Sequence, residues 1–204
     1  MSERLRLGVL ASGSGTNLQA LLDTVHGREA EVVAVASDKP DAPALERAAA
    51  AEVPTRVFPL DDYGSRQERD EAIAAWLHES GVGLVVLAGY MRLISPSFLA
   101  AFPQRVINVH PALLPAFTGI GAVEQALAYG VKLAGVTVHF VDEGVDTGAI
   151  ILQRAIEIGD ALDPETLHDR LRPLEHELLC EAVRRFAAGK VRLDPANERR
   201  VIVD

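Results

Sequence analysis

Asn108 and His110 stand two residues apart at the end of an apolar run, in RVINVHPALLPAF. On a strand, side chains at i and i+2 point the same way, so an amide and an imidazole would face one space. Downstream, HFVDEGVDTG offers Asp142, Glu143 and Asp146 in a loop between two apolar segments. Histidine is the commonest general acid, and a nearby carboxylate orients its ring. The pattern therefore suggests an acid with its orienting partner. Taken singly, each residue has a plainer reading. His110 would be a buried histidine bonded to backbone, and Asp146 a turn residue beside Gly148.

A second polar stretch lies near the start, in LASGSGTNLQALL over residues 10 to 22. Amides at a helix N-terminus form an anion site, and Gly13 to Asn17 precede a helical pattern. No Gly-Lys-Ser/Thr follows, so this is not a Walker A loop. Leu18 occupies the place of the third glycine in the dinucleotide fingerprint, which excludes that motif as well. Two readings remain open: a single phosphate held by amides with Thr16 and Asn17, or a tight turn that needs positive φ.

These residues need a frame that brings strand ends together. Continuous apolar runs at residues 5–11, 32–36, 55–58 and 84–88 read as buried strands. Between them, 16–26, 42–51 and 65–79 carry helical spacing. Strand and helix alternate four times, which favours a parallel sheet covered on both faces. Later elements are a short helix from Ser95-Pro96 to about 102, a strand at 105–109 and a helix at 123–129. Strands at 133–141 and 150–158 flank the acidic loop. A long helix opens at Asp163-Pro164 and runs to about 188, before a short hairpin tail from Val191. The expected class is α/β, a Rossmann-like, mostly parallel twisted sheet with helices on both faces. The expected organisation is one domain over 1–204, with halves near 1–100 and 101–204. In such sheets, ligands bind at the carboxyl ends of the strands.

The chain has 204 residues, 49% of them hydrophobic, enough for a sizeable core. Its net charge of −9 argues against a nucleic-acid coat or an anionic-membrane binder. One cysteine, Cys180, excludes an intrachain disulfide and reads as packing. The N-terminal apolar run is too short for a signal peptide, and no segment reaches a membrane-helix length. These features predict a soluble, cytoplasmic protein. His26, His78, His168 and His176 read as surface or helix-edge residues, and no set has metal-ligand spacing, so no metal is expected.

SGSGTNLQAL, LAGYMRLISPSF, INVHPALLP and VTVHFVDEGVDTGAIILQ together resemble the phosphoribosylglycinamide formyltransferase family, nearly end to end. The resemblance implies the formyltransferase fold and catalytic roles for Asn108, His110 and Asp146. It implies that Gly15, Thr16 and Asn17 bind the ribose phosphate of glycinamide ribonucleotide, and that Glu175 meets its glycinamide end. It places Met91, Arg92, Leu93 and Ile94 along the pterin pocket, with Asp142, Glu143, Gly144, Val145 and Asp146 closing over it, Asn108 beside the folate and Arg66 on the folate side. His139 would be a supporting residue near the active site or a structural histidine.

The implied co-substrate is 10-formyltetrahydrofolate. The amine would attack its formyl carbon directly, with Asn108 and protonated His110 donating to the oxyanion and Asp146 favouring the imidazolium. Both substrates are anionic, so the amides of the first helix, Arg66 and Arg92 are the expected local positives. The partners are these two small molecules, with no nucleic acid or membrane, and the protein is a monomer or homodimer. Formyltetrahydrofolate hydrolase, methionyl-tRNA formyltransferase and a non-catalytic nucleotide-binding domain are the rivals. The first needs a preceding regulatory domain and the second an added tRNA-binding domain; the third predicts binding of NAD.

The chain departs from the family after HPALLPAF. The usual Pro-Gly, histidines and arginine give way to Thr118-Gly-Ile-Gly-Ala-Val-Glu124. Glycine lacks the steric limits that hold a loop in one conformation. Residues 117 to 123 are therefore expected to form a mobile lid.

Overall fold

The apolar runs become strands, and the helical patterns between them become helices. The computed structural model describes residues 4–159 and 163–204. The chain divides into two compact units, Met1–Asn108 and Val109–Asp204, and the boundary falls within a strand.

The first unit contains β1 (Leu5–Leu10), α1 (Thr16–Thr24), β2 (Ala30–Ser37), α2 (Pro43–Ala50), β3 (Thr55–Val57), α3 (Arg66–Glu79), β4 (Leu84–Leu87) and α4 (Pro96–Ala101). It also contains the first three residues of β5 (Val106–His110). Its strand order is β3-β2-β1-β4-β5, and every ladder is parallel. All four residues of β4 and the last four of β1 are buried, as parallel strands covered on both faces require. Leu18 and Leu21 of α1, Ile73 and Leu77 of α3, and Phe98 of α4 complete this core. Parallel strands all end at one edge. The segments after β1, β2 and β4 therefore emerge together, and these are Gly13–Asn17, Asp38 and Tyr90–Ser95.

The second unit contains α5 (Ala122–Tyr129), β6 (Leu133–Phe140), β7 (Ile150–Glu157), α6 (Pro164–Ala187), β8 (Val191–Asp194) and β9 (Asn197–Val203). Its strand order is β6-β7-β9-β8. β6 and β7 pair antiparallel across the acidic loop, as do β8 and β9 across the tail turn, while β9 meets β7 in parallel. Helix α6 packs on β6 and β7 and buries Leu167, Leu171, Leu178, Leu179 and Val183. Cys180 is buried in the same row.

The α/β class holds, and most boundaries fall within two residues of the periodicity. Two differences matter. β5 extends through His110, so the histidine is itself a strand residue. α1 stops at Thr24 because its end folds back, with His26 Nδ1 accepting from Val32 N at 3.0 Å. Among the described residues, no helix is long and apolar enough to cross a membrane.

Candidate active site

His110 and Asp146 meet in the second unit. His110 Nδ1 lies 3.4 Å from Asp146 Oδ2, and both side chains are largely withdrawn from water, at 6% and 15% exposed. The other ring nitrogen, Nε2, donates to the Phe117 carbonyl at 2.8 Å. A carbonyl only accepts, so the ring nitrogen facing Phe117 carries a hydrogen.

Asp146 has a second histidine. His139 Nε2 lies 3.6 Å from Oδ1, and His139 Nδ1 donates to the Phe140 carbonyl at 2.7 Å. The two rings are thus held alike, each by one backbone oxygen and one oxygen of the same carboxylate. Gly119 N also donates to Asp146 Oδ2, at 2.8 Å. Burial acts to raise the Asp146 carboxyl. The hydrogen bonds from His139 and Gly119 and the two imidazole charges outweigh it and hold the group at about 2. The residue sits at φ 53°, a left-handed conformation that aspartate and asparagine tolerate better than most.

The strands aim these groups. His139 and Thr137 alternate with Val136 and Val138 on β6, so both polar side chains share one face. Thr137, fully buried, donates through Oγ1 to Ala112 O at 2.7 Å and accepts from Leu114 N at 3.1 Å. Gln153 of β7 donates to Leu114 O at 2.8 Å and to Thr137 Oγ1 at 2.9 Å. The chain after His110 is therefore pinned by two side chains that were not singled out from the sequence. The polar alternation Thr137-x-His139 in an otherwise apolar strand was the signal for Thr137.

The acidic loop divides its labour. Asp142 Oδ1 accepts from Thr147 Oγ1 at 2.7 Å and from Gly144 N at 3.2 Å, which closes the turn on itself. A Cβ at Gly148 would run into the Phe140 carbonyl, so that glycine is needed for close approach. Glu143, Gly144 and Val145 are exposed. Asp146 alone of the loop reaches the histidines.

The divergent stretch after Phe117 is a hydrogen-bonded turn. Phe117, Gly119 and Gly121 all have positive φ, at 56°, 79° and 74°. Gln125 Nε2 donates to Ile120 O at 2.9 Å and to Thr118 O at 3.3 Å. The two glycines thus serve left-handed geometry that most residues resist, and Ile120 projects outward, 87% exposed.

In the first unit, α1 begins with Gly15 as its cap at φ 71°, and no side chain caps it. A Cβ on Gly15 would lie 2.7 Å from Ala44, so packing alone already requires glycine there. Arg47 braces the turn from α2, donating to Ser14 O at 2.8 Å. Thr16 is half-buried and Asn17 buried.

Also in this unit, Met91 and Leu93 expose 63% and 56% of their surface, against the habit of large apolar side chains. Between them Arg92 donates through Nε to Asp38 at 2.7 Å. Ile94 is half-buried. Arg66 opens α3 from an exposed position. Glu175 lies buried on α6 with Leu171, Leu178 and Ala182, the expected helix face. Asn108 is half-buried on β5, two residues before His110. His176, read as a helix-edge residue, instead has its Nε2 buried, and that burial lowers its pKa. Among the described residues, no group of three or more His, Cys, Asp or Glu side chains is arranged so that it could hold a metal ion.

Residues 5–183 match the formyl transferase family. The phosphoribosylglycinamide formyltransferase of Mycobacterium tuberculosis is 49% identical over 91% of this chain and 86% of its own. A trifunctional purine biosynthetic protein, adenosine-3, of Chironomus tentans is 44% identical over 93% of this chain and 14% of its own. Glycinamide ribonucleotide transformylase 1 from Symbiobacterium toebii has a solved structure that superposes with a TM-score of 0.93 at 47% identity, covering 98% of this chain and 94% of that one. The chain belongs to the formyl transferase family, within the phosphoribosylglycinamide formyltransferases.

Proposed function

We propose that this protein transfers the formyl group of 10-formyltetrahydrofolate to the amine of glycinamide ribonucleotide, a step of purine synthesis. The observation that carries the reading is the Asp146 carboxylate shared between His110 and His139, with a His110 N–H presented on the far side of its ring. Asp146 orients the His110 ring from the Nδ1 side, and the Nε2–H on the other side is the group that stabilises an oxyanion. Asn108, two residues earlier on the same strand, adds a neutral donor. Asp146 also holds the water that carries a proton from the attacking amine to the departing folate nitrogen. No protein nucleophile is required, because the amine attacks the formyl carbon itself.

The first unit supports substrate binding. The α1 amides with Thr16 and Asn17 take the phosphate, and Met91 to Ile94 line the pterin, with Arg92 and Arg66 as the positive charges toward the folate tail. Glu175 takes the glycinamide end. Release of tetrahydrofolate, followed by absorbance with and without glycinamide ribonucleotide, tests the reading. Release that depends on the nucleotide is expected. Release without it would assign the chain to the hydrolases instead.

A further inference from the structure

Residues 90–95 connect β4 to α4 without regular structure, yet both ends of the segment are fastened. At the far end, fully buried Asp70 accepts from Ser95 N at 2.7 Å. The same carboxylate holds Arg69 through Nε at 3.0 Å and a terminal nitrogen at 2.6 Å. Both partners of that pair are closed off from water, at 1% and 0% exposed. It is a structural anchor.

The near end is built differently. Met91 N donates to Ser12 Oγ at 2.9 Å, Ser12 Oγ donates to Asp38 Oδ1 at 2.6 Å, and Arg92 Nε donates to Asp38 Oδ2 at 2.7 Å. One carboxylate thus holds the backbone of Met91, through the serine, and the side chain of Arg92. Its own side chain is 1% exposed, while that of Arg92 is 47% exposed. Burial acts to raise the Asp38 carboxyl, and the bonds from Ser12 and Arg92 outweigh it, so the group stays below its ordinary value. The charge is out of water and its cation is half in it, on the row where Met91 and Leu93 are exposed. Ser12 directly precedes the Gly13–Asn17 turn, and its own N donates to Gly89 O at 3.1 Å. The arrangement fixes the 91–92 backbone to the end of β1 and leaves the outer part of the guanidinium toward a ligand.

We infer that Asp38 is a positioning residue for the folate-side segment, acting through Ser12 and Arg92 to set affinity for the folate co-substrate. The inference rests on the reading of residues 91–94 as folate-facing. Asp38 touches neither substrate and takes no proton.

The test is binding of a non-reactive folate analogue and of glycinamide ribonucleotide, each measured by calorimetry, with KM and kcat alongside. In Asp38→Ala the analogue's Kd should rise about tenfold, the worth of one charge-assisted hydrogen bond. The folate KM should rise with it. The nucleotide Kd and kcat should stay within about twofold. Asp38→Asn, which keeps an acceptor and loses the charge, should recover part of the loss. Ser12→Ala cuts the link to Met91 while sparing the Asp38–Arg92 pair, and carries the test if the Asp38 variants do not fold. Analogue Kd values within twofold of the unmodified protein, or equal loss of both ligands, would overturn the inference alone. An unmodified protein that binds no folate analogue would overturn the proposed function along with it.

Discussion

Asp70 and Asp146 are both carboxylates withdrawn from water, and they keep different company. Asp70 sits against an arginine that never titrates, with both side chains closed off. Asp146 sits between two histidine rings, and the loop glycine Gly119 hangs from one of its oxygens. A buried charge with a permanent partner is a device for geometry. A buried charge with titratable partners can follow a proton. On this ground the proposed function gives Asp146 a part in the chemistry, and the Asp70 pair belongs to the frame of the first unit.

The largest expected effect tests that division directly. His110→Ala and Asp146→Asn should each lower kcat by about 10²- to 10⁴-fold, the usual worth of an acid-base group, with substrate Kd little changed. Asparagine suits the left-handed backbone at 146, so the loop should keep its shape. A variant keeping more than about a tenth of the activity would take its residue out of the mechanism. Asp70→Asn should do the reverse. It leaves the Arg69 charge buried and unpaired, which costs about 3–5 kcal/mol in denaturant unfolding, while kcat per folded molecule is unchanged.

A smaller effect sharpens the comparison through pH. The folded carboxyl of Asp146 is held at about 2, below its unfolded value of about 3.9. Its ionised form therefore adds stability that is complete above roughly pH 4 and is lost as the pH falls toward 2. Unfolding of the unmodified protein and Asp146→Asn, compared from pH 6 to 2, should show a gap that closes by roughly 2 kcal/mol over that window. A gap constant with pH would mean the carboxylate is not held by its neighbours.

Asn17→Leu should weaken nucleotide binding about tenfold and leave the folate analogue alone; equal loss of both would make the turn structural only. The smallest effect concerns the divergent loop. In the ligand-free protein, amide hydrogen exchange should be slowest at Gly119, whose N–H is on Asp146, and fast at Ile120. Both substrates together should then protect 117–123 throughout. Uniform strong protection without ligand would remove any lid motion.

The strands were legible because a buried parallel strand needs a run of apolar residues, and β1 and β4 supply it in adjacent positions. Asn108 and His110 were legible because a two-residue spacing survives any packing of the strand. What holds them was not. Phe117 offers only its carbonyl and Gly119 only its amide, and no side-chain identity announces a backbone atom. Asp38 follows a strand as an ordinary turn residue would, and its partner Arg92 lies 54 positions away. The glycines after Thr118 suggested looseness, and their left-handed φ values also suit the turn they make. Glycine permits both.

The bond from His110 to the Phe117 carbonyl has one more consequence. In the proposed reaction, the protein's own backbone is the tenant of the position that the incoming oxygen would take. A ligand oxygen gains Nε2–H by exchange, one hydrogen bond broken for one formed, so a neutral carbonyl wins little there. An oxygen that is acquiring negative charge wins more, because a charged acceptor draws a stronger hydrogen bond than a neutral carbonyl does. The tenant thus discounts the ground state and yields to the transition state, which turns a loop contact into a filter for charge.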